Sequence, residues 1–357
     1  MQRTVSIHSP ANRNKFVQAR AFLLEYNHCV NYFIERYWSE QNFDDSYVDS
    51  VHMDNARQRF RLTARLIQCA GRQALQIVKS QRMKSVRRRR MPCYGTLSAT
   101  LDGRFWAMTD EHNSFEWVKV QSGFTLFLPF KKTAMWNRWA DRGFTLSKSM
   151  RLLIRGDNLY IDFIFEKKKP MRKTAGSTEG IDLGYVDAVT CSDGQVAGKG
   201  MSDFICSFDR REKHTHRQVE QKAFGELRKL DLSDVKTLVI ENLRSVKSRT
   251  RGMFPHAYNR RLSHWLYARA VQWLEQRCEE QGIALIRVSP WKTSQFCRLC
   301  GNRDRRSRSG KVFGCIHCGH TDDADMNAAQ NIRLLGLAGV YSLRSLPNKF
   351  IGRNIRL

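Results

Sequence analysis

From Cys297 to Ile332 the chain reads CRLCGNRDRRSRSGKVFGCIHCGHTDDADMNAAQNI. Two Cys-x-x-Cys pairs, Cys297/Cys300 and Cys315/Cys318, flank fourteen residues, the spacing of a four-thiolate zinc ribbon. A redox Cys-x-x-Cys rarely comes as a matched pair. His317 and His320 lie close by, but four thiolates already close a structural site. Gly301 and Gly319 permit a tight turn after each pair. Next come Asp322, Asp323 and Asp325. Asp325, Ala328, Ala329 and Ile332 recur at i, i+3, i+4 and i+7, so a helix over 324–335 turns Asp325 toward its core-facing stripe. Asp322 or Asp323 then serves as its N-cap.

Two further carboxylates stand far upstream. Asp182, in GIDLG, alternates with Ile181 and Leu183 and has glycine on both sides, leaving room for a ligand or a second backbone. Glu241 ends the apolar run Leu238-Val239-Ile240, which reads as a central strand covered on both faces. Taken alone, Asp182 could cap a turn and Glu241 could be emerging into solvent. If Asp182, Glu241 and Asp325 meet, they repel one another unless divalent cations neutralise them. Hard oxygen ligands without histidine favour magnesium or manganese. Two such ions about 3.5–4 Å apart suit phosphodiester hydrolysis.

The elements that would have to bring them together follow in order from Gly180. Three short strands come first, then a helix of mixed charge over about 209–230 and an apolar strand over 237–241. A helix over about 258–281 has Leu262, Trp265, Leu266, Ala270 and Trp273 on one face and is stopped by Gly282. The strand IALIRV, the knuckles and the last helix complete the series. That is the element order of an RNase H-like fold, in which the first and fourth strands lie side by side. The three carboxylates occupy the first strand, the end of the fourth strand and the last helix.

Upstream, residues 3–8 read as a strand, and helical periodicity runs over 14–40, with Phe16, Ala19, Phe22, Leu23 and Tyr26 on one face, and over 53–84. From 95 to 167, short aromatic and β-branched runs predict a small β-barrel or strongly curved sheet, ending in a hairpin of strands 149–155 and 159–166. The 357 residues carry a net charge of +27, which calls for a polyanionic partner, nucleic acid first. No run approaches the ~18 apolar residues of a membrane span, and the N-terminus lacks a signal peptide's apolar core. Cys29, Cys69, Cys93, Cys191, Cys206 and Cys278 are scattered, as thiols are in a reducing compartment.

GIDLG, VIENL, TSQFCRLCG, CIHCG and DADMNAAQNI together resemble the RuvC-type nuclease of TnpB proteins and the compact type V CRISPR effectors. The resemblance covers about 178–335; the N-terminal half matches it in layout only. It implies an α+β multidomain chain. A β-barrel wedge domain (1–10 and 93–170) holds an inserted helical recognition domain (11–92). A RuvC-like nuclease domain (171–294 and 321–345), an inserted zinc ribbon (295–320) and a basic tail (346–357) follow. It assigns catalysis and magnesium to Asp182, Glu241 and Asp325, and zinc to Cys297, Cys300, Cys315 and Cys318. Its implied partners are a guide RNA and target DNA, its setting the cytoplasm at a prokaryotic nucleoid. Only 59 positions separate Asp182 from Glu241, which is compact for the family. The expected phosphate contacts are Arg87, Arg88, Arg89, Arg90, Lys167, Lys168, Lys169, Arg305 and Arg306. Arg249 and Arg251 join them on a lid over 247–261. A guide-dependent repressor without cleavage and a guide-independent structure-specific nuclease are the alternatives. Oligomeric state is left open.

Overall fold

The computed structural model describes residues 1–40, 47–112, 115–121, 123–184, 186–209, 215–243 and 267–345. The chain divides into two units, Met1–Lys168 and Lys169–Leu357.

The first unit opens with strand β1 (Gln2–Ser9), whose side chains alternate exposed and buried along its whole length. Helix α1 (Arg13–Ser39) is capped by Asn12, whose side chain accepts from Lys15 N at 3.0 Å. It buries Ala19, Phe22, Leu23, Tyr26, Val30 and Phe33, a stripe at helical spacing. Helices α2 (Ser50–Arg59) and α3 (Ala64–Arg82) follow. Next come strands β2 (Ser98–Leu101), β3 (Trp106–His112), β4 (Phe115–Gln121) and β5 (Thr125–Phe130). Helix α4 (Ala134–Asp141) and the hairpin β6 (Thr145–Arg155) and β7 (Asn158–Glu166) complete it. The strands form two antiparallel sheets, β1-β7-β6-β2 and β3-β4-β5, over one apolar core shared with the helices. Among the described residues no ladder joins the two sheets, so the expected barrel is a two-sheet arrangement.

Two local expectations change here. The helix expected over 53–84 is two helices, α2 and α3. Phe60 leaves the helical path to bury its ring against Tyr32, and Arg61 N turns to Glu25 Oε1 at 2.9 Å. Tertiary packing outweighs a helical propensity of a few tenths of a kcal/mol per residue. Helix α4 was not anticipated. Its eight residues are too few to show a period, and it is held by Trp136 and Trp139 in the core and by Thr133 at its N-cap.

The second unit carries strands β8 (Ser177–Asp182), β9 (Val189–Cys191) and β10 (Val196–Ala197), then helices α5 (Met201–Asp209) and α6 (Thr215–Leu227). Strand β11 (Val235–Glu241), helix α7 (Tyr267–Gln281) and strand β12 (Ala284–Val288) follow. A small sheet of β13 (Arg308–Ser309), β14 (Val312–Gly314) and β15 (Thr321–Asp323) precedes helix α8 (Ala324–Ala338). The main sheet has the order β10-β9-β8-β11-β12, and β8 pairs in parallel with β11, first strand beside fourth as the element order predicts. The single helix expected over 209–230 is instead α5 and α6 on either side of undescribed residues. Leu262, Trp265 and Leu266 lie outside the described residues. Ala270 is buried and Trp273 half-buried on α7. Gly282, at φ 71, turns the chain as expected.

Strand β11 is covered on both faces. Leu238 and Ile240 pack toward α6 and α7, whereas Val239 packs with Ile332 and Leu335 of α8. Helix α8 approaches very closely. A Cβ on Gly180 would lie 2.2 Å from Ala329 O and 2.4 Å from Arg333 N. One on Gly336 would lie 2.2 Å from Val239 Cγ2. Only glycine fits at either place.

Candidate active site and cysteine cluster

The period-2 alternation of strands decides what meets α8. On β8, Ile181 points into the core beneath α6 and α7, so Gly180 and Asp182 share the opposite face. On β11, Val239 contacts α8, so Glu241 shares that face too. Ile240 is in register with Ile181, which sets Glu241 beside Asp182 at the same end of two parallel strands. Asp325 stands in the first turn of α8, above that end, with Ala328, Ala329 and Ile332 buried on the same stripe. Asp323 is the N-cap, accepting from Asp325 N at 2.8 Å and Met326 N at 3.0 Å. Asp322 instead accepts from Arg298 Nε at 2.8 Å.

Asp182, Glu241 and Asp325 therefore line one cleft of about 660 Å³, together with Thr293, Arg305, Arg308 and Lys311. Glu241 and Asp325 are only 7% and 6% exposed. Asp182 as a whole residue is half-buried, but burial of its carboxyl, and then the neighbouring charges of Glu241 and Asp325, push that group above the usual carboxylate range against the opposing pull of Arg308 and Lys311. Burial also raises Glu241, against the hydroxyl of Thr293, which donates to Oε1 at 2.5 Å. Arg308 donates to Asp325 Oδ1 at 3.1 Å, and Lys311 Nζ donates to Oδ2. Three carboxylates facing one cleft, opposed by two cations, offer the hard oxygen donors that divalent metals prefer.

The four cysteine sulfurs lie within 4.8 Å of one another, with Cys297–Cys318 at 3.7 Å and Cys300–Cys315 at 3.5 Å. A Zn–S distance of about 2.3 Å requires tetrahedral S···S edges of about 3.8 Å, so the cluster has the right size. Burial raises the Cys315 thiol, but backbone N–H groups of Cys318 and His317, together with the side chains of Cys300 and Cys318, bring it down to about 7, whereas burial pushes the Cys297 and Cys300 thiols up. Gly301 at φ 70 and Gly319 at φ 73 make the two knuckle turns.

Of the basic residues named from the sequence, Arg305 alone among the described ones lines this cleft. Arg87 to Arg90 and Lys167 to Lys169 are exposed. Lys167 Nζ donates to Arg142 O at 2.6 Å, and Lys169 pairs with Glu279 at 3.0 Å. Arg305 lines the cleft, and Arg306 is tied to Asp304 at 2.9 Å. Arg249, Arg251, the proposed lid and the tail at 346–357 lie outside the described residues.

Five residues of the site were not singled out from the sequence. Thr293 follows β12, which runs parallel to β11, so its loop necessarily lands at the strand ends where Glu241 sits. Arg308 and Lys311 belong to the basic loop between the knuckles, where all cations look alike in sequence. Asn327 and Asn331, fully buried at i and i+4 on α8, fasten the 293–298 segment to the helix. Asn327 Nδ2 donates to Phe296 O at 2.7 Å and Asn331 Nδ2 to Thr293 O at 2.8 Å. Two asparagines on an otherwise apolar stripe were the available signal.

Residues 267–332 match the family model of the Cas12f1-like TNB domain. The chain is 42% identical over 77 residues to the CRISPR-associated endodeoxyribonuclease Cas12f1 of Sulfoacidibacillus thermotolerans. It is 29% identical over 100 residues to the TnpB-like protein L79 of Acanthamoeba polyphaga mimivirus. These stretches make up 21% and 28% of this chain but only 18% and 19% of the relatives' own length. A Cas12f1 solved as a complex with sgRNA and target DNA superposes with a TM-score of 0.57 at 12% identity, covering 93% of this chain and 98% of that one. Residues 267–332 and the local sequence identities thus relate this chain to Cas12f1 and the TnpB-like proteins, and its fold is similar to that of a Cas12f1.

Proposed function

We propose that the chain is an RNA-guided DNA endonuclease whose cleft hydrolyses phosphodiester bonds. The observation that carries this reading is the convergence of Asp182, Glu241 and Asp325, from β8, β11 and α8, in one cleft lined by Arg305, Arg308 and Lys311. Asp182, Glu241 and Asp325 would hold magnesium or manganese, which when bound would activate water and stabilise the leaving oxygen. The protein's part is positional. The parallel β8/β11 pair fixes two carboxylates, Thr293 orients Glu241, and the glycine contacts of α8 fix Asp325. Cys297, Cys300, Cys315 and Cys318 would hold a structural zinc that braces the segment delivering Arg308 and Lys311.

Guide and target follow from the relatives and from the +27 charge, which suits two polyanions at once. In such a system base pairing reads the sequence while the protein grips the backbone. The test is to purify the protein with its RNA, sequence that RNA, and offer duplex DNA that matches it. Cleavage that disappears after RNase treatment supports the proposal. Cleavage indifferent to RNA favours a structure-specific nuclease, and RNA-dependent binding without cleavage favours a repressor.

A further inference from the structure

Lys311, like Arg308, differs from the other described cations of the loop between the knuckles in reaching Asp325. It sits at the tip of the β13–β14 hairpin, beside Gly310 at φ 59, and its carbonyl accepts from Ala324 N of α8 at 2.8 Å. Val312 next to it is in register with the N-cap residue Asp323. The backbone of Lys311 is thus fastened to the helix that carries Asp325, which leaves its side chain little choice of direction. Its ammonium donates to Asp325 Oδ2 and, at 2.6 Å, to Asp187 Oδ2. From the same hairpin, Arg308 takes Asp325 Oδ1 at 3.1 Å. Both oxygens of Asp325 are therefore engaged by cations of the cysteine-bearing segment.

We propose that Lys311, supported by Arg308, is a built-in substitute cation. It neutralises Asp325 while the cleft holds no divalent metal, and it must leave Asp325 for a metal to bind. Asp187 gives the displaced ammonium a second anchor, so Lys311 can release one carboxylate without becoming solitary. The consequence is a cleft that resists divalent cations until the hairpin side chains are drawn away. This inference rests on the proposal that Asp182, Glu241 and Asp325 form a metal site.

The experiment is Mn²⁺ binding to the full-length, zinc-loaded protein without nucleic acid, read from the electron paramagnetic resonance of free Mn²⁺. Lys311→Met removes the competitor, and its Kd for Mn²⁺ should fall at least about fivefold, the lower end of ordinary site–site coupling. Lys311→Arg keeps the charge and should bind as wild type does. An unchanged or weaker affinity in Lys311→Met overturns the substitute-cation role. If Lys311→Met loses zinc or solubility, Lys311→Gln is measured in its place and judged by the same outcomes. Asp182→Ala separates the two failures. If it binds Mn²⁺ as well as wild type, the metal-site reading falls, and this inference with it.

Discussion

Gly180→Ala is the smallest change that should disable the cleft without touching a carboxylate. The added methyl would lie 2.2 Å from Ala329 O, 2.4 Å from Arg333 N and 3.0 Å from Arg333 Cα, all backbone atoms of α8. No side chain can rotate away to relieve this. Restoring ordinary contact near 3.4 Å moves α8 off the sheet by about 1 Å, and overpacking of this kind costs about 1–3 kcal/mol. For a unit of this size that is a Tm lower by about 2–12 °C. Asp325 rides on the same helix, so its carboxylate moves relative to Asp182 and Glu241. A misplacement of about 1 Å at reacting groups costs on the order of 100-fold in rate. The assay is single-turnover cleavage of matched DNA at saturating magnesium, with melting followed on the same preparation. Wild-type cleavage by a folded Gly180→Ala protein would refute the argument that this contact sets the carboxylate geometry.

Further outcomes follow from the electrostatics and the cysteine cluster. In magnesium-free buffer, Asp182→Asn should melt higher than wild type at neutral pH. The Asp182 carboxyl is raised when folded, so the native state keeps a proton that the unfolded chain releases, and stability is lost as pH climbs from the ordinary value of 3.8 through the raised one. The advantage of Asp182→Asn should therefore shrink toward pH 4 in thermal melts. Mn²⁺ added at concentrations high enough to displace Lys311 should stabilise wild type and leave the variant unmoved. Stripping zinc, or Cys318→Ser, should destabilise the second unit, since structural zinc contributes roughly 10–16 kcal/mol of binding energy in isolated fingers at neutral pH. Metal analysis and melting with and without chelator check it.

The parts of the site legible in the sequence were those that periodicity determines. Asp325 was distinguished from Asp322 and Asp323 because only Asp325 shares a stripe with Ala328, Ala329 and Ile332, and the structure buries that stripe. The run ending at Glu241 read as a central strand, and β11 is covered on both faces. Asp182 was placed opposite Ile181 by alternation alone. The residues that complete the cleft were not legible, because their roles arise from contacts distant in sequence. Thr293 reaches Glu241 across 52 positions, and Lys311 reaches Asp187 across 124. No local pattern marks one lysine in a basic loop as the one that enters an acidic cleft. The break between α2 and α3 was hidden for a related reason, since Phe60 obeys its neighbours in the core and not its neighbours in sequence.

The proposed function stands on carboxylates from three separate elements forming one metal-dependent cutting site. Its most direct test is single-turnover cleavage of matched DNA, with bound RNA and magnesium, by Asp182→Asn, Glu241→Gln, Asp325→Asn and Asp322→Asn side by side. The first three should lose cutting by at least about 100-fold, as expected when an electrostatic element of catalysis is removed, while keeping their RNA. Asp322→Asn, whose carboxylate serves Arg298, should still cut. Wild-type cleavage by a folded Asp325→Asn protein would contradict the proposed function.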